Sequence, residues 1–479
     1  MSFNSFEYLL FLPSVFLLYW LAFKGRSAQN RLIVIASYLF YGAWDWRCLF
    51  LILLTSVCSY ASGLLMGKYE GSNLKRKMLS LSNIILNLGI LCYFKYFNFF
   101  GGGFAALLNG IGIQVDWVTM EIILPVGISF YTFQALSYTI DVYSGRIKPT
   151  NDLVAFLAYI SFFPQLVAGP IERATNLLPQ FLYDRRFDYA SAVDGMRRIL
   201  WGLFKKMLVA DNCAMAVNAI FANPTQCDSA TLMLGAVLFA FQIYGDFSGY
   251  SDIAIGSAKL LGIRLMQNFN TPYFSRDIAE FWRRWHISLT TWFRDYIYIP
   301  LGGSRCGKWI TLRNTFIIFL VSGLWHGANL TFVCWGAYNA LLFSVLLLSG
   351  KNRRNLDVVA HGRMLPNARE IVQMSGTFIL VVIGWVIFRA DNMTMAVEYI
   401  RRMLFDFSFS VPMVGRKALV YVALLVLVEW VQRGKEHGLQ FADCALFRYR
   451  AVRWGVYYLL FMLTLLMAGS ETEFIYFQF

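Results

Sequence analysis

The sequence predicts an all-α, polytopic integral membrane protein of about ten to twelve transmembrane helices, with re-entrant and interfacial helices between them. Three observations lead there. Of 479 residues, 58% are hydrophobic and 15% charged, whereas soluble domains carry roughly 25% charged residues. Near-chargeless stretches of about 20 residues recur, long enough to cross a ~30 Å hydrocarbon layer as helices. The basic residues behind the net charge of +14 gather in short segments between these stretches: Lys24, Arg26 and Arg31; Lys68, Lys75, Arg76 and Lys77; Lys351, Arg353 and Arg354; and Arg433 to Arg453. In a soluble protein that balance would suggest nucleic acid as a partner. Here retention of basic short loops in the cytoplasm accounts for it, so nucleic acid is set aside and membrane lipid is the surrounding partner.

No soluble stretch is long enough for a separate core. Residues 1–479 therefore read as one transmembrane domain, with the motif-bearing core at about 121–350. The eight cysteines, among them Cys58, Cys92 and Cys334, lie mostly in apolar stretches without paired metal spacing. They read as small buried hydrophobes, and no metal site is expected.

Taken in order, Met1 to Glu7 has no basic residue ahead of its apolar run, and no small-residue cleavage pattern follows Phe23. The first helix thus reads as a retained span rather than a signal peptide. Positive charge comes after it, at Lys24 and Arg26, which predicts an N-terminus outside the cytoplasm. The acidic Glu471 and Glu473 near the other end predict the same side, and hence an even number of crossings.

From Leu124 the pattern is broken by Pro125, Gly127, Pro164, Gly169 and Pro170, as in discontinuous or re-entrant helices around a cavity. Asp246 and Asp252 stand in an apolar context. Paired carboxylates serve acid/base chemistry or metals, but without a nearby His or Cys helix capping is the favoured reading. In 275–296, Ile278, Phe281, Trp282, Trp285, Leu289, Trp292, Phe293 and Tyr296 recur at helical spacing, with Arg276, Glu280, Arg283, Arg284 and Arg294 largely off the stripe. That predicts an amphipathic helix lying along the membrane surface, with His286 at the edge of the stripe.

The 37 residues from Asn314 to Gly350 contain no Lys, Arg, Asp or Glu, and His326 is their only imidazole. As one helix they would span about 56 Å, nearly twice the apolar thickness. A helical hairpin bent near Gly323 to Asn329 is favoured, and a long kinked crossing is the alternative. An ionisable group at that depth is by default a functional candidate, although a neutral, hydrogen-bonded packing histidine is the competing explanation. A buried imidazole rests neutral and can accept a proton as a general base. Trp325 and Asn329, its nearest neighbours with side-chain hydrogen-bonding capacity, are the candidate substrate-binding residues, with Asn329 placed to orient the ring if the backbone turns back at Gly327.

Four segments carry a resemblance: Phe163-Pro164-Gln165-Leu166-Val167-Ala168-Gly169-Pro170-Ile171, Asp246-Phe247-Ser248-Gly249-Tyr250-Ser251-Asp252, Phe281-Trp282-Arg283-Arg284-Trp285-His286-Ile287-Ser288-Leu289 and Gly323-Leu324-Trp325-His326-Gly327-Ala328-Asn329. In this order they resemble the membrane-bound O-acyltransferases, and within them the branch that O-acetylates alginate and other bacterial polysaccharides. The resemblance covers most of the chain. It implies a helical membrane fold enclosing a central tunnel, His326 as the catalytic base and His286 as a second catalytic-site residue. It also implies acetyl-CoA as a cytoplasmic donor substrate rather than a permanently bound cofactor. The acceptor would be an extracellular or periplasmic polysaccharide. Implied partners are a periplasmic SGNH-type acetyltransferase and the polysaccharide synthesis machinery, and the implied location is the bacterial inner membrane. Similar proteins esterify teichoic acid with D-alanine. A proton-coupled transporter or flippase is the alternative, since broken helices and intramembrane ionisable groups suit it equally. The lack of internal repeats between the two halves speaks against it.

Overall fold

A computed structural model describes the chain except residues 118, 121, 123, 168, 407, 409–411, 413, 442–444 and 476–479, and except the side chains of 445 and 446. Position 121 at the edge of the expected core, and Ala168 in the first motif, thus lie outside the described residues. The described residues form helices and loops with no strand. They divide into two compact units, Met1–Asp188 with Leu261–Leu265, and Tyr189–Leu260 with Met266–Phe479.

Among the described residues, six helical stretches are long and apolar enough to cross a membrane: Arg26–Lys68, Asn73–Gly110, Ser229–Leu260, Leu330–Leu348, Ala368–Arg389 and Arg450–Met467. Phe6–Ala22 and Leu153–Leu166 are shorter apolar helices. Within the first stretch the chain breaks at Asp45, whose backbone is extended (φ −149°, ψ 108°) and whose side chain accepts from Arg47 N, so Arg26–Asp45 and Leu49–Lys68 are separate helices joined by the 3₁₀ turn Trp46–Cys48. Asn73–Leu91 passes into Phe97–Gly110 through a π-helical turn.

In the first unit the Ile128–Tyr143 helix is buried almost throughout. Asn83 Nδ2 donates to Ser59 Oγ at 3.1 Å and to Thr139 Oγ1 at 2.6 Å. Such hydrogen bonds tie three helices together where apolar packing alone offers little preference between protein and lipid.

The second unit is built on the 32-residue helix Ser229–Leu260 and its neighbour Tyr189–Leu203. Two glycines on each, seven residues apart, face one another. A Cβ on Gly256 would lie 2.5 Å from Gly195 O, and one on Gly202 would lie 2.6 Å from Gly249 O. Both glycine pairs therefore let the backbones touch, the device that small residues serve in membrane helix packing. The expected hairpin is also present: Lys308–His326 and Leu330–Leu348 are separated by Gly327, Ala328 and Asn329. A Cβ at Gly323 would lie 2.3 Å from Phe332 O, so these helices too are in backbone contact.

Gly256→Ala must push one backbone away from another, at a cost of about 1–3 kcal/mol. Its apparent melting temperature, measured by intrinsic fluorescence in detergent, is expected to fall. Gly376→Ala, at an exposed helical position with nothing within 4 Å, is expected to be neutral or slightly stabilising.

Candidate active site

His326 is the last residue of the Lys308–His326 helix, where Gly327 leaves the helical conformation with φ −170° and ψ 158°. A Cβ on Gly327 would lie 2.2 Å from the Phe332 ring. Asn329 caps the returning helix by accepting from Thr331 N at 3.2 Å, and it donates to Asp391 O at 2.9 Å. Its side chain thus holds the turn and the neighbouring loop rather than the imidazole. His326 is 4% exposed and is packed by Trp325, Trp335 and Phe388, with ring centroids 5.0, 5.1 and 5.3 Å away. Trp335 comes from the second helix of the hairpin and Phe388 from Ala368–Arg389.

The tryptophan-rich segment departs from the surface helix that its periodicity predicts. It forms two short helices, Ile278–Arg284 and Ile287–Phe293, and a π-helical turn, Arg294–Tyr298. The apolar stripe from Ile278 to Tyr296 is buried, and so are Arg276, Glu280 and Arg284 on the supposed wet side. The reason is electrostatic. Glu280 is gripped by Arg276 at 3.1 Å and Arg284 at 2.9 Å, and Asp277 caps Glu280 N at 2.7 Å, so the charged face neutralises itself and packs inward.

His286 stands at the break with left-handed backbone angles of φ 42° and ψ 54°. Non-glycine residues seldom adopt these, and such strain collects at functional sites. His286 is 1% exposed, so it is no more superficial than His326. Its ring lies 4.6 Å from Phe247, edge to face, and 6.0 Å from Trp325. The two histidines, 40 residues apart in the sequence, are thereby brought against the same indole.

Asp246 and Asp252 are not helix caps. Both lie within Ser229–Leu260 and are buried. Asp252 binds Arg198 Nε at 2.8 Å and Lys205 Nζ at 2.5 Å. Asp246 shares Lys206 Nζ with Asp211, at 2.8 and 2.9 Å. Tyr244 donates to Glu429 at 2.8 Å. A small cavity of about 20 Å³, room for roughly one water molecule, lies among Arg198, Lys205, Tyr244, Asp252, Asn268 and Glu429. Neither His286 nor His326 lines it, but Asn268 does, and Asn268 Oδ1 lies 3.0 Å from His286 Nδ1. No cluster of three or more His, Cys, Asp or Glu able to hold a metal occurs among the described residues.

Arg198, Lys205, Asn268, Trp335, Phe388 and Glu429 escaped the sequence reading. Gln267 to Pro272 is a run of Gln, Asn, Thr and Pro interrupted by Phe269 that reads as an ordinary loop. The aromatics are indistinguishable from core residues until the helices are packed.

The comparisons with known proteins agree with this architecture. The MBOAT, membrane-bound O-acyltransferase family matches residues 149–383. The chain is 43% identical over 401 residues to the probable alginate O-acetylase AlgI of Pseudomonas aeruginosa, covering 83% of this chain and 73% of that protein. It is 40% identical over 433 residues to the protein of the same name from Pseudomonas putida, covering 89% and 85%. It is 34% identical over 423 residues to the peptidoglycan O-acetyltransferase of Helicobacter pylori, covering 82% and 78%. The chain belongs to the membrane-bound O-acyltransferase family, as a multi-pass membrane enzyme that transfers acyl groups to oxygen.

Two outcomes follow from the charges and the imidazole. Asp252→Asn strips two buried cations of their shared anion, a loss of about 3–5 kcal/mol. It is expected to lower the apparent melting temperature well beyond the effect of Gly256→Ala. Burial pushes the His286 imidazole down to about 3, below the ~6.5 of an unfolded histidine. Between those values the unfolded chain binds a proton that the folded chain does not, so stability falls as pH drops, by about 1.4 kcal/mol per unit from this group. Between pH 6.5 and 5 the wild type is expected to lose melting temperature more steeply than His286→Gln.

Proposed function

We propose that this enzyme moves acetyl groups from cytoplasmic acetyl-CoA toward hydroxyls of a polysaccharide outside the inner membrane, with His326 as general base. The observation that carries this reading is the placement of two buried imidazoles on one indole, at the turn of a charge-free hairpin, in a chain about 40% identical to alginate O-acetylases over most of its length. Peptidoglycan O-acetylation by a further relative supports a saccharide hydroxyl as the acceptor class. The polymer itself is left open between alginate and other exopolysaccharides.

In the proposed step His326 removes the hydroxyl proton as the oxygen bonds to the thioester carbonyl carbon. The carbon–sulfur bond then breaks, and the proton passes from His326 to the departing CoA thiolate. Trp325, Trp335 and Phe388 surround the imidazole and keep water from it. His286 serves as a hydrogen-bonding group for the substrate. Basic loops in the cytoplasm draw the phosphates of acetyl-CoA by long-range attraction, and both termini lie outside. A periplasmic SGNH-type acetyltransferase and the polysaccharide synthesis machinery complete delivery.

General-base contributions run about 10²- to 10⁴-fold. His326→Ala is therefore expected to abolish polymer-bound acetate in cells while membrane protein level stays near normal. Normal acetylation would remove His326 from the chemistry, and loss of the protein would return it to packing. His286→Gln keeps a hydrogen-bonding side chain and is expected to retain measurable acetylation. Loss as complete as that of His326→Ala would put both histidines in proton transfer.

A further inference from the structure

We infer that Asn268 is a positioning residue for this reaction, fixing His286 as the tautomer that presents Nε2 as a hydrogen-bond acceptor to the substrate. The inference rests on the proposed function above and adds to it a residue outside all four motif segments.

Asn268 is fully buried in the loop between Ser229–Leu260 and Ile278–Arg284. Its Oδ1 lies 3.0 Å from His286 Nδ1, 2.9 Å from Ser288 Oγ and 3.4 Å from Ser288 N. The Ser288 backbone N–H can only donate, which settles which end of the amide is the oxygen. On the other side Asn268 Nδ2 donates to Ser251 Oγ at 3.0 Å, consistent with that orientation. An amide oxygen carries no proton, so Nδ1 of His286 must carry one, and in a neutral imidazole Nε2 is then the acceptor.

The same loop also holds the backbone of His286. Ile287 N donates to Asn268 O at 2.9 Å, and Asn270 N donates to Arg284 O at 3.0 Å. These two bonds bracket His286 and keep it in its left-handed conformation. Loop 268–270 thus sets the position, the ring plane and the proton of His286 together. That is more than a packing residue needs, and it matches the base-orienting partner found where an imidazole must act in one tautomer. Asn268 also lines the cavity beside Arg198, Lys205 and Asp252.

The test compares substitutions at one position in whole cells, reading alkali-released acetate from the surface polymer fraction against the immunoblotted level of the enzyme. Asn268→Asp keeps an acceptor oxygen at Nδ1, and Ser251 can turn its hydroxyl to donate to the other oxygen. It is expected to retain acetylation within about threefold. Asn268→Leu removes the acceptor and is expected to lose at least roughly tenfold at comparable protein level. A structural role predicts the reverse order, because the aspartate buries a new charge and the leucine does not. If Asn268→Leu fails to accumulate, Asn268→Ala takes its place. Equal activity in the two variants, an aspartate worse than the apolar variant, or failure of all three to accumulate overturns the positioning role. His326→Ala run in parallel separates this from the wider reading. If that variant acetylates normally the proposed function falls. If it is inactive while the Asn268 variants behave alike, only the positioning role falls.

Discussion

The contact on which the second unit depends is the one between the Tyr189–Leu203 and Ser229–Leu260 helices, whose backbones meet at Gly195 against Gly256 and Gly202 against Gly249. Only glycine allows that separation. The close approach brings Arg198 and Lys205, on and just beyond the first helix, within reach of Asp252 on the second. In lipid an unpaired charge on either helix would be costly, and at this spacing each finds its counter-ion inside protein. Packing and electrostatics here are one constraint: a wider spacing would lose the ion pairs, and neutral side chains would lose the reason for the register.

From this pair the site follows by short steps. Ser251 stands one residue from Asp252 and accepts from Asn268; Asn268 holds His286; Phe247, a turn earlier on the same helix, packs edge-on against the His286 ring. The second histidine arrives independently, on a hairpin whose glycines allow its own helices to touch. The two supports meet at Trp325. A site assembled this way from rigid helices and one anchored loop keeps its geometry.

The segment 275–296 shows how a correct periodicity can give a wrong location. Its stripe of tryptophans and its charged off-stripe positions are real, and a surface helix is what such a pattern ordinarily means. The pattern records which residues share a face and says nothing about what lies against the other face. Glu280 between Arg276 and Arg284, with Asp357 on Arg276, sets two carboxylates against two guanidiniums and lets the polar side go inward. Capping does not describe the aspartates 246 and 252 for a similar reason, because it is inferred from local neighbours and their cationic partners lie 40 to 54 residues away.

What the sequence by itself determined is the class of the protein, its membrane setting and a hairpin bend near Gly323 to Asn329. These depend on composition, on apolar run length and on residues within a few positions of one another, all of which survive in a linear string. The tertiary structure alone decided that the histidines share Trp325, that Asn329 is spent on capping, and that Asn268 orients His286. Each of those is a contact between elements distant along the chain, set by how closely glycine-bearing helices pack, and no local periodicity encodes that distance.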